Sequence, residues 1–175
     1  QKLKNLYFFS LEYEKIIDNK KFKSMNLFNL HFSLLPKYRG CHTNYLQISR
    51  GEKYSGVTLH KIDSGIDTGD IIDQASFKIK INDNAFNNYQ RLMECSIKLF
   101  KKNLNRILLN KYTLKKQKIS KGSYFSRKSV IYRNKLKVNI KKATLTEHNK
   151  IRSLIFPAYQ YPFVNGLKII KSVYK

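Results

Sequence analysis

The segment between about residue 84 and residue 110 restricts the fold more than any other part of the chain. Its apolar side chains recur every three or four residues, which is the spacing of a helix with one buried face. The residues of this stripe are Phe86, Tyr89, Leu92, Met93, Ile97, Phe100, Leu104, Ile107 and Leu108. Asn82 or Asp83 can cap the first turn. We expect one long helix whose stripe packs in the core and does not line a ligand groove.

Short apolar runs before this helix indicate the sheet against which it packs. Residues 6–9 and 27–30 resemble buried parallel strands, and residues 12–20 between them are predicted to form a short helix. Two further strands are predicted at about residues 57–62 and 75–81, on either side of a glycine-containing loop. These elements predict an α/β protein with a mostly parallel sheet.

The length of 175 residues allows one main domain with a small appendage. A basic stretch, residues 111–121, ends at Gly122, and we place a domain boundary there. The predicted domains are a core of residues 1–121 and a small C-terminal α+β module of residues 122–175.

The C-terminal module has two recognisable elements. A helix is predicted near residues 146–155, and Asn165-Gly166 is a typical hairpin turn. The hairpin is a candidate surface for a homodimer. At the other end of the chain an apolar run follows Gln1 almost at once, so we expect the N-terminal part of the core to be missing.

The charge is strongly positive, at +24, and unevenly distributed. Residues 84–175 contain 22 Lys and Arg against two acids, whereas residues 1–83 contain 13 bases and nine acids. Such a surface attracts phosphate, whether on RNA, on a membrane or on a nucleotide. An AT-rich coding bias also produces a chain rich in Lys, Asn and Ile, so we do not expect nucleic acid as a partner.

The two cysteines and the short apolar runs exclude several classes of protein. Cys41 and Cys95 lack metal-ligand spacing and cannot form a disulfide framework, so we expect no metal site and a reducing, cytoplasmic location. The apolar runs are far shorter than the roughly 18 residues that a membrane-spanning helix needs.

Polar side chains occur at the end of the second predicted strand and in the glycine-containing loop. Asn29 and His31 are two residues apart at the end of a strand, so both project to the same side. Ligands of open α/β sheets bind at the carboxyl ends of strands, and the loop of residues 65–70 can close over that point. A carboxamide, an imidazole and the loop carboxylate Asp67 are therefore expected to share one pocket.

These motifs resemble those of the formyltransferase family that uses 10-formyltetrahydrofolate. The stretch Asn29-Leu30-His31-Phe32-Ser33-Leu34-Leu35-Pro36 and the loop Ile66-Asp67-Thr68-Gly69-Asp70 are similar to the family's two motifs. His31 and Asp67 lie 36 positions apart, as expected of the catalytic pair of that family. The resemblance implies a Rossmann-like core, 10-formyltetrahydrofolate as cofactor, and catalytic roles for Asn29, His31 and Asp67. About 60 to 70 residues that begin family members have no counterpart here.

The chemistry of formyl transfer suits these side chains. Attack by an amine creates a tetrahedral centre with a negatively charged oxygen, which either the Asn29 amide or protonated His31 can stabilise. His31 and Asp67 are assigned to proton transfer between the amine and the departing folate nitrogen. We expect neither a metal nor a covalent intermediate. His60 is expected to be structural or substrate-facing.

The resemblance leaves three candidate amines as acceptors of the formyl group. Methionyl-tRNA formyltransferases typically read Gly-Ala-Ala-Pro and Asn-Pro-Trp-Pro where this chain has residues 40–44 and 156–162. Glycinamide ribonucleotide formyltransferases usually end soon after the long helix. Residues 40–44, 122–128 and 156–160 look most like enzymes that formylate nucleotide-linked (dTDP-type) amino sugars for surface glycans such as O-antigen or lipooligosaccharide.

A nucleotide-linked amino sugar requires groups for its base and pyrophosphate. Aromatic rings stack on bases, and Arg or Lys binds phosphate. The candidate substrate-binding residues are Arg39, His42, Tyr124, Phe125 and Tyr159. The alternatives are a methionyl-tRNA formyltransferase and a basic, non-catalytic nucleic-acid-binding protein on the same fold.

Overall fold

The computed structural model describes residues 6–13, 15–132, 135, 137–138 and 144–174. In chain order its elements are β1 (Phe8–Leu11), β2 (Leu27–His31), β3 (Arg39–Gly40), α1 (Thr43–Ser49), β4 (Tyr54–Lys61), β5 (Ile71–Lys78), α2 (Ala85–Leu108), β6 (Tyr124–Phe125), β7 (Lys137–Val138), α3 (Leu145–Leu154), β8 (Phe163–Val164) and β9 (Leu167–Lys168). No helix in these residues is long and apolar enough to cross a membrane.

The central sheet has four strands in the order β1-β2-β4-β5. This confirms the predicted α/β class, but the sheet is mixed and not mostly parallel. Only β1 and β2 run parallel, whereas β2–β4 and β4–β5 are antiparallel. The loop between β4 and β5, residues 62–70, is shorter than the dozen or so residues that a parallel crossover needs.

The helix predicted for residues 12–20 is wrong for the part of that segment that the structure describes. The only helical structure described there is one 3₁₀ turn, Asn19–Lys21. Asp18 caps this turn, because its side chain accepts a hydrogen bond from the Lys20 N–H. Glu12 adopts a left-handed φ of 52°, which interrupts any right-handed helix beginning at the end of β1.

Helix α2 packs on the sheet as its stripe predicted. Leu92, Leu99 and Ile107 are buried and join Phe28 and Leu59 of the sheet in one apolar cluster. The N-cap residue is Asn84, one or two residues later than expected. The Asn84 side chain accepts from the Asn87 N–H, and the Asn87 side chain accepts from the Asn84 N–H, which is a capping box. The helix therefore covers one face of the sheet.

Two elements that follow position 121 lie against the core. Strand β6 pairs in parallel with β3, and α3 packs on α1. The predicted C-terminal helix and the Asn165-Gly166 hairpin are confirmed as α3 and as β8 with β9. Gly166 has a φ of 82°, which such a turn requires. The domain boundary at Gly122 stays a prediction.

Candidate active site

Strand pairing brings three polar side chains to one place. Asn29 and His31 project from the same side of β2, and Asn29 lies opposite His60 of β4. The ring of His31 is 8% exposed, and its Nε2 donates to the carbonyl oxygen of Tyr38 at 2.7 Å. A carbonyl can only accept, so the proton stays on Nε2 and the other ring nitrogen, Nδ1, faces the loop after β4.

The loop that carries Asp67 is held at several points. The Asp63 carboxylate accepts from the Gly65 N–H at 3.0 Å and from the Thr68 hydroxyl at 2.7 Å. A Cβ at Gly69 would lie 1.9 Å from the carbonyl oxygen of Lys61, so only glycine fits there. Asp67 itself has a left-handed φ of 54°, which Asp tolerates better than most residues.

A distant side chain completes this support. Gln117 donates from Nε2 to the carbonyl oxygens of Asp67, at 2.9 Å, and of Gly69, at 2.7 Å. No local sequence pattern indicates this role, because Gln117 lies 50 positions from Asp67 in a basic stretch.

Four side chains meet at the Asp67 carboxylate: Asn29, His31, His60 and Asp67, here called the carboxylate cluster. Asp67 Oδ1 accepts from Asn29 Nδ2 at 3.2 Å and lies 3.5 Å from His60 Nε2. Its Oδ2 accepts from the Gly40 N–H at 2.8 Å and lies 3.5 Å from His31 Nδ1. The structure therefore brings together the three residues predicted to be catalytic, and adds His60 and a backbone N–H.

The charges within the cluster follow from burial and from these contacts. Burial tends to raise the pKa of Asp67, but the neighbouring His31, His60 and Gly40 N–H outweigh it and hold that pKa well below its usual range. Burial lowers the pKa of His31, with Asp67 and the Tyr38 carbonyl opposing that effect. At neutral pH the site thus combines an ionised carboxylate with an imidazole whose Nδ1 is free to take a proton.

His60, expected to be structural or substrate-facing, lies in the carboxylate cluster. Its side chain is 2% exposed, and its Nδ1 donates to the Lys61 carbonyl oxygen at 2.7 Å. Its Nε2 lies 3.3 Å from Asn29 Nδ2 and 3.5 Å from Asp67 Oδ1. Only the pairing register of β2 and β4 shows this contact, and the register cannot be read from the motif spacing.

The carboxylate cluster opens into a cleft of about 930 Å³. His42, Tyr124 and Tyr159 of the predicted substrate-binding set line this cleft. Tyr159 is 85% exposed and Tyr124 is 47% exposed, so both rings are available to a ligand. The ring of His42 is fixed by a 2.8 Å hydrogen bond from Nε2 to the Arg127 carbonyl oxygen.

Two predicted substrate-binding residues lie outside the cleft. The ring of Phe125 stacks on Tyr38 with centroids 5.7 Å apart, and the guanidinium of Arg50 lies 4.6 Å from its centroid. Neighbouring residues of a strand point to opposite sides, so β6 cannot direct both Tyr124 and Phe125 into the cleft. Arg39, on the short strand β3, is likewise not among the residues that line it.

The cleft has an aromatic wall that sequence reasoning missed. Phe86 and Tyr89 of α2 contact Phe156 edge-on, with centroids 5.4 and 5.5 Å away. These two residues begin the apolar stripe and were therefore assigned to the core. Among the described residues, no group of three or more His, Cys, Asp or Glu side chains could hold a metal ion.

An amide, an imidazole and an ionised carboxylate stand together at the end of β2, and such a set of groups can bind a polar substrate and exchange protons with it. The family model described as formyl transferase matches residues 9–104. The chain belongs to the formyl transferase family, which confirms the resemblance of its motifs.

Two solved structures are similar to nearly the whole chain. One is WlaRD, a sugar 3N-formyl transferase solved in the presence of dTDP and 5-N-formyl-THF, which is 49% identical with a TM-score of 0.90. The other is an N-formyltransferase from Helicobacter canadensis in complex with folinic acid and dTDP-3-aminofucose, which is 50% identical with a TM-score of 0.91. They cover 96% and 97% of this chain, which covers 61% and 62% of theirs.

Curated relatives are less similar and longer. The bifunctional polymyxin resistance protein ArnA of Wigglesworthia glossinidia brevipalpis is 36% identical over 98% of this chain and 26% of its own length. The methionyl-tRNA formyltransferase of Clostridium tetani is 38% identical over 65% of this chain and 36% of its own length. The chain thus spans well under half of these relatives.

Proposed function

We propose that this protein transfers a formyl group from 10-formyltetrahydrofolate to the amine of a dTDP-linked amino sugar. The observation that carries the proposal is the ionised Asp67 carboxylate, which lies between His31 and Asn29 where the cleft ends. The two structures of about half identity, both named as N-formyltransferases and solved with a folate and a dTDP compound, support this choice of substrates.

The described residues of the cleft suit a folate. Ile16, Ile17 and Ile62 line the same cleft as the carboxylate cluster, and they offer apolar contact to a flat ring system. The Asn29 amide offers one N–H, the one not bonded to Asp67, to a formyl oxygen. When bound, 10-formyltetrahydrofolate supplies a formyl group on a nitrogen that leaves readily once it is protonated.

The roles of the chain's own residues follow from the geometry. His31 Nδ1 takes the proton of the attacking amine, because its lone pair is free while Nε2 remains bonded to Tyr38. Asp67, 3.5 Å away, stabilises the resulting imidazolium, which then returns the proton to the departing nitrogen. The Asn29 N–H that faces His60 Nε2 exchanges that contact for the oxygen on which negative charge develops, while the other N–H stays bonded to Asp67.

Methionyl-tRNA is the second candidate acceptor. Several curated relatives at 31–40% identity are named methionyl-tRNA formyltransferases, and the charge of +24 favours a phosphate-rich substrate. The higher identity to the two sugar enzymes favours the nucleotide-linked sugar. We place the reaction in the cytoplasm, with a surface glycan as the destination of the product, and both cysteines are free thiols, as a reducing compartment would leave them.

The acceptor is tested by single-turnover formyl transfer from 10-formyltetrahydrofolate. The acceptors are dTDP-linked 3-amino and 4-amino sugars, their UDP counterparts and methionyl-tRNA. We expect transfer to at least one dTDP-linked amino sugar and none to tRNA. Transfer to tRNA alone would replace the proposal by the second candidate. Absence of all transfer, with salt-sensitive RNA binding, would indicate the non-catalytic alternative.

Nucleotide binding is tested separately by titration with dTDP. Tyr124→Ala or Tyr159→Ala should weaken binding by roughly 5- to 150-fold for whichever ring stacks on the base, since one stacked base contributes about 1 to 3 kcal/mol. Phe125→Ala is the matched control, because its ring is packed on Tyr38 away from the cleft. Unchanged affinity in both tyrosine variants would remove these residues from the binding site.

A further inference from the structure

The segment between α2 and β6 exposes aliphatic and lysine side chains together. Leu109, Leu114 and Ile119 are 64%, 49% and 37% exposed. The lysines between and beside them are all exposed: Lys111, Lys115, Lys116, Lys118 and Lys121. We call residues 109–121 the lysine-leucine segment.

No acid offsets this charge. The sequence contains no Asp or Glu between Cys95 and Thr146. Across the part of the chain that the structure describes, none of the five lysines lies within 4.0 Å of a carboxylate. The segment therefore combines five exposed lysines that form no described ion pair with exposed aliphatic surface.

The backbone holds these side chains in place. Lys115 exchanges two hydrogen bonds with Ile71 at the end of the sheet, at 2.8 and 2.9 Å. Gln117 is bonded to the Asp67 loop, and the N–H of Gly122 closes a 3₁₀ turn on Ile119. Leu114 and Ile119 are thus presented to solvent by an ordered backbone and do not belong to a solvated tail.

We propose that the lysine-leucine segment is a docking surface for an anionic lipid bilayer. Lysines beside a membrane are attracted by phosphate headgroups, and their aliphatic stems lie along apolar surface. Exposed leucine and isoleucine side chains enter the boundary between headgroups and acyl chains. The protein binds at the membrane surface and does not span it.

The same observations favour a bilayer over a polynucleotide. Single-stranded nucleic acid binds to stacking aromatic rings and to arginine. The lysine-leucine segment contains no Arg, and its one aromatic ring, Tyr112, packs edge-on against Phe28 with centroids 6.1 Å apart. Exposed aliphatic side chains contribute nothing to phosphate binding, whereas a lipid interface gains from them.

The test is cosedimentation of the protein with vesicles of phosphatidylglycerol and phosphatidylcholine, or of phosphatidylcholine alone. We expect binding only to the anionic vesicles. The triple variant Lys111→Gln, Lys116→Gln and Lys118→Gln should bind about 100-fold more weakly, at about fivefold for each lysine. The matched control replaces Lys20, Lys21 and Lys23, which are exposed elsewhere, by Gln.

The aliphatic part is tested by Leu109→Ser with Leu114→Ser, and by Val173→Ser as control. Val173 is 53% exposed, and the N–H of its neighbour Tyr174 donates to Asn82, beyond the other end of β5 from Ile71. The double variant should lose vesicle binding and keep its binding, if any, to poly(U). Equal losses in the two lysine triples would show that net charge alone acts and would overturn the proposal. The proposal would also be overturned if the double serine variant bound vesicles normally. The same holds if the triple variant of Lys111, Lys116 and Lys118 lost its binding to poly(U) and kept its binding to vesicles. Melting curves confirm that each variant is folded.

Discussion

The carboxylate of Asp67 carries a charge in a place that is nearly closed to water. It remains ionised because the Asn29 amide and the Gly40 N–H donate to it and two imidazoles lie 3.5 Å away. Its φ of 54° turns the side chain from the loop toward β2. This residue therefore determines both the shape of the loop and the proton affinity of His31.

Replacement of His31 by Asn tests the proton-transfer role. Asn retains a donor for the Tyr38 carbonyl but cannot exchange a proton at neutral pH. Turnover should fall by at least about 100-fold, as for a lost general acid-base group, while dTDP binding is kept. Single-turnover rates and a dTDP titration measure the two effects. Equal losses of turnover and binding would point to a structural histidine.

Replacement of Asp67 by Asn tests the charge, because Asn also tolerates a left-handed φ. Wild-type activity should rise with pH through the pKa of His31, which burial lowers below its ordinary value. The Asp67 carboxylate raises that pKa, so its removal should shift the acid limb to lower pH and reduce the plateau by about 100-fold.

The pH dependence of kcat/KM between about pH 5 and about pH 9 measures this shift, since His is the group that titrates there. Asp70→Asn, in the same loop, is the control and should leave the profile unchanged. An acid limb that stays in place in Asp67→Asn would mean that His31 does not titrate in the reaction.

Sequence reasoning located the centre of this site better than its periphery. Asn29, His31 and Asp67 belong to two short motifs, so local spacing was enough to select them, and their roles stay predictions. His60 and Gln117 contact the same centre through strand register and a long-range packing contact, neither of which leaves a local pattern. Tyr124 and Phe125 could not be separated until the direction of β6 was known.

At the scale of elements, the loop between β4 and β5 depends on a residue outside the catalytic motifs. Gln117→Met should release this loop, because Met fills the space but donates no hydrogen bond to the Asp67 and Gly69 carbonyls. Turnover should fall by roughly 10- to 100-fold with unchanged dTDP affinity, and stability by about 1 to 3 kcal/mol.

Denaturant unfolding and single-turnover rates measure these two changes for Gln117→Met. Lys118→Met, on the exposed neighbour, is the control and should behave as the wild type. If the Met variant of Gln117 turned over normally, the hydrogen bonds of Gln117 would be unnecessary for placing Asp67.

The elements themselves were predictable where the pattern was long. Helix α2 has six turns of consistent stripe and appears near its expected position. The alternation at about residues 75–81 predicted a strand, but β5 begins four residues earlier, with the consecutive buried residues Ile71 and Ile72. Strand direction was not predictable, because the apolar run of β2 reads the same whether its neighbour is parallel or antiparallel. The left-handed Glu12 was also invisible, since its sequence neighbours fit a helix.

For the whole molecule, the C-terminal hairpin stays a prediction as a homodimer surface. Leu167 and Ile170 are 71% and 68% exposed, and such apolar side chains gain free energy when a second copy covers them. Analytical ultracentrifugation should give the mass of two chains, and Leu167→Asp should give the mass of one. A single-chain mass for the wild type at all concentrations would refute the dimer.

Strand β3 is only two residues long, but both of its edges are in use. The Arg39 and Cys41 N–H groups donate to the carbonyls of Ser123 and Phe125, and between them the Gly40 N–H donates to Asp67. A Cβ at Gly40 would lie 2.2 Å from the Phe125 carbonyl oxygen. Recombination between related genes is therefore expected to exchange residues 39–41 together with residues 123–125, or to leave both in place.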